Sequence, residues 1–222
     1  MDDFVGKIER SDLKDGDHIY AWRNLYTHHG IYIGEGKIIH FVNPKGNGNP
    51  IKNLIGFSTA SSSGGEEAKT PCKNSFCKLE KVAGSGVKMS LHRFKYKVSR
   101  EFLLLQAVGG SCTTAESDPP EEVIHRAIYL YENGYGKYDL TNNNCEDFAL
   151  YCKTGLWSTD KKYQGRSSQG NMIHRTSKDK KDNDFGKRLL QITTAIPRSF
   201  SKRDDKDLGI RTDVVKVPVE ML

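Results

Sequence analysis

The chain has 222 residues, 36% of them apolar, with a net charge of +6 and five cysteines. That length fits one domain of about 150 residues with an extension, and the apolar content serves one core but not a membrane protein. The longest apolar run, from Phe102 to Val108, is far short of the roughly 20 residues that span a bilayer. Residues 1–157 carry 19 basic and 19 acidic side chains and residues 158–222 carry 15 and 9, so the whole excess lies in the tail. A neutral body with a basic tail does not read as a nucleic-acid binder, and no stacked-aromatic or zinc-finger pattern accompanies the charge. An odd number of irregularly spaced cysteines favours free thiols in a reducing compartment. The acidic start MDDFVGKIERSD lacks the apolar segment of a signal peptide, so the expected setting is cytoplasmic.

In chain order, His18–Trp22 predicts a first strand. His28–Ile33 and Lys37–Val42 predict two more, joined through Gly34-Glu35-Gly36 as a hairpin turn. Residues 43–90, with NPKGNGNP and SSSGGEEAKT, have loop composition and read as a long insertion. Leu91–Val98 alternates, with Phe94, Tyr96 and Val98 on one side and Lys95 and Lys97 on the other, the pattern of a half-buried strand. Asp118-Pro-Pro-Glu121 predicts a helix start with Asp118 as cap, and Gly134 ends it. A second helix begins at Cys145. Asn143 or Asn144 is its cap, Glu146 and Asp147 suit its first turn, Phe148, Ala149 and Cys152 are its buried positions, and Gly155 is its stop. Strands first and helices after define an α+β class. The expected organisation is a main domain over residues 1–157, with 43–90 as an insertion, and a basic, partly disordered extension over 158–222. Within the extension, Phe185, Leu189, Ile192 and Ile196 mark one apolar face of a short helix.

The chemistry centres on Cys145. A helix N-terminus carries partial positive charge and unpaired N–H groups, which lower a thiol's pKa and can hold an oxyanion. A thiolate nucleophile wants an imidazole base, and three of the seven histidines, His28, His29 and His40, lie in the hairpin. Strand alternation sends His28 and His29 to opposite faces. A turn centred on Glu35 pairs position 30 with 40 and makes His28 the diagonal neighbour of His40. A register shifted by one selects His29 instead, and spacing alone leaves both open. A buried cysteine without partners is more often a small core hydrophobe, the role expected of Cys152. His92, His125 and His174 are read as surface or locally satisfied residues. Cys72 and Cys77 lack a second ligand pair and predict no zinc site, and the KGNGNP glycines are read as loop rather than a phosphate cradle.

HHGIYIG from residue 28, IIHF from 38 and NNCEDFALYCKTG from 143 resemble, in this order, the His, His and Cys blocks of lecithin retinol acyltransferase-like proteins. The intervening GGSCTTAESDPPEEVIHRAIYL is similar to the plant branch, the NC-domain or LEAD-sensitive type, and the resemblance covers about residues 10–157. It implies a circularly permuted papain-like fold, related to NlpC-type peptidases, with an antiparallel sheet packed on the cysteine helix. It implies Cys145 as nucleophile, His28 as base and His40 as the residue that orients the base, with no metal or organic cofactor. Family members take an acyl chain from a phospholipid onto the cysteine as a thioester and pass it to water, an amine or an alcohol. The implied function is therefore a cysteine-dependent acyltransferase or phospholipase A-type acyl hydrolase, with an acyl lipid as substrate.

The basic tail adds an expected peripheral contact with anionic membranes and no specific nucleic-acid partner. Two other functions stay open on the same fold: a non-catalytic interaction or signalling module, and a thiol peptidase or amidase. Three departures from the family pattern stand out. The usual NCEHF is NCEDF here, with Asp147 in the histidine's place; no apolar C-terminal anchor follows, unlike several animal relatives; and the long 43–90 segment can reshape or cover the site.

Overall fold

The computed structural model describes residues 7–23, 26–42, 75–78, 90–105, 110–139, 143–159 and 207–222. Most of the 43–90 insertion, the apolar face from Phe185 to Ile196 and most basic residues of the tail lie outside the described residues. Among the described residues, six strands form one sheet: β1 (Lys7–Ile8), β2 (His18–Arg23), β3 (Tyr26–Tyr32), β4 (Lys37–His40), β5 (Ser75–Lys78) and β6 (Leu91–Arg93). Their spatial order is β1-β6-β2-β3-β4-β5, and every neighbouring pair is antiparallel. The α-helices among these residues are α1 (Arg100–Leu105), α2 (Pro120–Asn133) and α3 (Cys145–Thr154), with a two-stranded antiparallel ribbon of β7 (Leu156–Ser158) and β8 (Val214–Lys216). The fold is α+β, with an antiparallel sheet.

The β3–β4 turn sets the register of the sheet's centre. Gly34, Glu35 and Gly36 all have positive φ, 94°, 51° and 69°, and the Lys37 amide closes the turn on the Gly34 carbonyl at 2.8 Å. Ile31 then pairs with Ile39, and Tyr32 with Ile38. Alternation from these pairs divides the sheet into two faces. Ile31, Ile39 and Phe41 bury against Val123, Ala127 and Leu130 of α2 and Phe148, Ala149 and Cys152 of α3. Ile19, Ala21, Ile38 and Leu91 form a separate cluster on the other face, with Ile8, Leu13 and Tyr32 packed against it.

Several expected elements change in detail. The strand from Leu91 stops at Arg93, because Lys95 turns to bridge Cys112 and Lys97 adopts a φ of 54°. Phe94 and Tyr96 nevertheless stay on one side, both against the His18 ring. β5 lies inside the stretch read as loop, and α1 takes up a run noted only for its length. Asp118 does not cap α2, whose cap position is Pro119 with no side-chain bond. Its carboxylate instead accepts from Arg126 Nη2 and from Lys216 Nζ, each at 2.6 Å. Two cations, one of them buried, outcompete the weaker bonds that a cap makes to backbone amides.

Lys216 is one of several contacts by which the chain's last residues return to the domain. β8 pairs with β7, Tyr151 Oη donates to the Val217 carbonyl at 2.8 Å, and Val219 enters the core of α2 and α3. Asp207 accepts from the Thr114 amide at 3.0 Å, and His125 meets Glu220 at 3.2 Å. The expected boundary at residue 157 therefore cuts a folded unit: residues 158–159 and 207–222 belong to the same body as the sheet.

Truncating Val219 to alanine should cost about 2 kcal/mol, as for other buried aliphatic deletions. Urea unfolding followed by far-UV circular dichroism reads this as a lower midpoint. An unchanged midpoint would mean that the C-terminal segment does not contribute to the core.

Candidate functional site

α3 starts where its flanking asparagine makes it start. Asn144 is extended, with φ −121° and ψ −169°, and its Oδ1 accepts from the Glu146 amide at 2.8 Å and the Asp147 amide at 3.4 Å. Asp147 Oδ2 reciprocates by accepting from the Asn144 amide at 2.9 Å, so Asp147 fills the place that Glu or Gln takes in most capping boxes. Asn143 serves elsewhere: its Nδ2 donates to the carbonyls of Tyr135 and Lys137, both at 3.1 Å. Gly155, with φ 66°, closes the helix.

Cys145 is therefore the first helical residue, and it is fully buried. A helix N-terminus favours a thiolate and burial opposes one, and Cys145 meets both conditions. The oxyanion role expected of the first-turn amides is narrower than the sequence suggests, because the cap already engages those of Glu146 and Asp147. Cys152 is a core thiol, as expected: burial pushes its pKa up against the opposing charge of Arg126, whose Nη1 donates to the Cys152 carbonyl at 2.9 Å.

His28 and His40 come together. His28 Nε2 and His40 Nδ1 lie 2.6 Å apart, with the rings edge-on at 4.7 Å between centroids. Both are buried. This is the diagonal pairing that a turn centred on Glu35 implies. Gly30 makes it sterically possible, because a Cβ there would sit 2.6 Å from Ile38 Cγ2 and 3.1 Å from His40 Cβ.

The same alternation puts His28 and His29 on opposite sheet faces. His28 opposes Ala21, and His40 shares its face with Ile38; both neighbours belong to the cluster on the face away from α3. His29 shares its face with Ile31, which packs beneath α3. Its Nε2 lies 4.0 Å from Glu146 Oε2, one residue from Cys145. It also lies 2.7 Å from Thr27 Oγ1, while Nδ1 lies 2.9 Å from His18 Nε2. His18 Nδ1 in turn lies 2.8 Å from Tyr96 Oη. His28 and His40 thus share one sheet face, and His29 lies on the face that carries Ile31.

Sequence reasoning missed the His18–His29–Tyr96 group. The signal was present in the register: if Ile31 faces the helices, His29 does too. Burial holds both rings neutral. It lowers His29 to about 3, and it lowers His18 with help from the nearby His29 and Lys153.

Among the described residues, no helix is long and apolar enough to cross a membrane. No group of three or more His, Cys, Asp and Glu side chains among them is arranged to hold a metal ion. The family model described as lecithin retinol acyltransferase matches residues 11–158. Over 240 residues the chain is 37% identical to Protein LEAD-SENSITIVE 1 of Arabidopsis thaliana, covering 97% of this chain and 88% of that protein.

Asp147 gives the helix start a pH dependence. Its carboxyl is pushed up to about 6 by burial, then held back by the Asn144 amide and by Arg211, with Asp139 adding to the rise. A carboxyl with a raised folded pKa contributes stability below its unfolded pKa near 4 and loses it as pH rises through about 6. Asp147→Asn keeps the acceptor oxygen without the charge. Its urea midpoint relative to wild type should therefore rise between pH 4 and pH 7. A constant difference across that range would show that the carboxyl titrates normally.

Proposed function

The chain belongs to the lecithin retinol acyltransferase family, and on that premise we propose a cysteine-dependent acyltransferase or acyl hydrolase acting on phospholipid-type esters. The observation that carries this reading is Cys145 at the first position of a side-chain-capped helix, within the family's NCE block. The family's circularly permuted papain-like arrangement is part of the proposal. The Cys145 thiolate attacks the ester carbonyl, the C–S bond forms, and the C–O bond breaks as the alcohol leaves with a proton from the base. Water, an amine or an alcohol then attacks the thioester, gives its proton to the same base and releases the thiolate. No cofactor enters these steps.

In the family pattern His28 is the base and His40 orients it, and their 2.6 Å contact supports that pairing. A second reading rests on a different observation: His29 is the hairpin histidine on the sheet face that receives α3. The basic tail holds this enzyme at anionic membranes from the cytoplasmic side, with each Lys or Arg near the surface contributing about 1 kcal/mol.

Incubation with mixed phospholipids should add an acyl-sized mass to the intact protein, removable by neutral hydroxylamine and absent in Cys145→Ala. Loss in Cys152→Ala alone would mean the other thiol reacts. Binding of lipid or protein without any acyl adduct would favour the non-catalytic module, and an adduct from peptide or amide substrates the peptidase reading. If His28 is the base, His28→Ala lowers turnover by roughly two or more orders of magnitude, the usual scale for that role, and His29→Ala lowers it less. His40→Gln then keeps part of the activity and His40→Leu does not. The reverse ranking of folded His28 and His29 variants would move the base to the helix face.

Membrane contact is tested with Lys178, Lys180, Lys181, Lys187 and Arg188 changed to Gln, which leaves residues 207–222 in place. The variant should bind anionic liposomes more weakly than wild type at low salt, and high salt should weaken wild type as well. Equal binding, or binding indifferent to salt, would rule out the electrostatic tether.

A further inference from the structure

We propose that Tyr96, His18 and His29 form a directed hydrogen-bond chain that ends on Thr27, beside Glu146, and positions the first turn of the Cys145 helix. They act as positioning residues, and the inference rests on the reading of Cys145 as the reactive thiol. A neutral imidazole has one N–H and one acceptor nitrogen, so a single choice at one end orients the whole chain. Burial, then Cys152 and Glu146, keeps the Tyr96 hydroxyl protonated, and such a hydroxyl can donate or accept, so the other end makes that choice: the Glu146 carboxyl group favours an N–H over a bare nitrogen at His29 Nε2. In that direction Tyr96 Oη donates to His18 Nδ1 at 2.8 Å, and His18 Nε2–H donates to His29 Nδ1 at 2.9 Å. His29 Nε2–H then points at Thr27 Oγ1, 2.7 Å away, with Glu146 Oε2 4.0 Å from the same nitrogen. The reverse direction would turn an acceptor nitrogen toward that carboxylate.

The chain ties three parts of the sheet region to one turn of helix. His18 lies on β2, His29 on β3 and Tyr96 just beyond β6, while Glu146 is buried on α3 next to Cys145. Consecutive helical residues differ by about 100° in direction, so holding Glu146 fixes the rotation of the first turn and hence the aim of the Cys145 sulfur. Lys153, from the next turns of α3, places Nζ 5.3 Å from the Tyr96 ring centroid and helps keep His18 neutral. On the far side, Tyr20 stacks between His29 and His92. Aromatic rings thus close the chain off on both sides, with Phe94 stacked on His18 at 4.4 Å.

Two measurements on the full chain test this, and neither needs an acyl donor. Long-range 1H–15N spectra should show His18 and His29 as neutral Nε2–H tautomers at pH 7, and Tyr96→Phe should redistribute both. Alkylation of Cys145 by iodoacetamide, located by mass spectrometry, should slow severalfold in Tyr96→Phe and more than tenfold in His29→Leu, with a displaced pH midpoint. His29→Gln, which offers one donor and one acceptor, should recover part of the rate. Nδ1–H tautomers in wild type would overturn the direction. An alkylation profile unchanged in Tyr96→Phe, or a wild-type Cys145 that never reacts, would overturn the link to the thiol even if His29→Leu fails to fold. A displaced profile without any thioester from lipids would leave the chain standing and remove the lipid reaction.

Discussion

The register of the β3–β4 hairpin governs where every histidine in the centre of the sheet points, and aliphatic residues fix that register. A slip by one residue would send Ile31 and Ile39 out from beneath α2 and α3 and bring His28 to the helix side. Exposing side chains of that size costs about 1.5–3 kcal/mol each. The turn resists the slip as well. Glu35 holds a left-handed conformation between two glycines, at a local cost of about 1–2 kcal/mol that would be lost for nothing in another register. The exposed Lys37–Glu35 ion pair offsets little of that. Which imidazole meets which partner is therefore decided by hydrophobic burial, not by the polar contacts themselves.

The two histidine groups that result differ in kind. The His28–His40 contact joins two buried rings across neighbouring strands, and at least one nitrogen must carry a proton for the other to accept it. The His18–His29 contact is one link of a longer chain with a hydroxyl at one end and a carboxylate near the other. Chains of this kind polarise along their length, so changing either end alters every bond between. A chain of neutral rings holds its direction until an end changes.

Much of this was legible in the sequence, and the failures share a cause. The alternation of hydrophobic residues in 18–42, the capping asparagines before Cys145 and the stop at Gly155 are local signals, and the elements follow them. Asp118 looked like a cap because it precedes two prolines, but its partners Arg126 and Lys216 are 8 and 98 residues away, beyond any local rule. β8 and Val219 were invisible for the same reason: three residues of strand and one valine carry no periodicity, and only contacts with β7 and Tyr151 define them. His29 was a different kind of miss. Its face follows from the same alternation that pairs His28 with His40.

The replacement of NCEHF by NCEDF changes how pH acts on the thiol. A histidine in the first turn is neutral at high pH and gains positive charge as pH falls through about 6.5, which favours the thiolate at the acidic side. Asp147 does the opposite in charge terms: with its carboxyl raised to about 6, it is neutral in mild acid and gains negative charge as pH rises. That charge sits in the same turn as Cys145 and opposes the helix dipole where the thiolate would form. An ionised Asp147 accepts more strongly from the Asn144 amide, but the burial that raises its carboxyl outweighs that bond, so the helix start loses stability as the charge appears. Ionisation of Asp147 therefore opposes both the helix start and the thiolate. The Arg211 guanidinium, brought near by the C-terminal segment, partly neutralises Asp147. The returning tail thus reaches the electrostatics of the cysteine turn as well as the core beneath it.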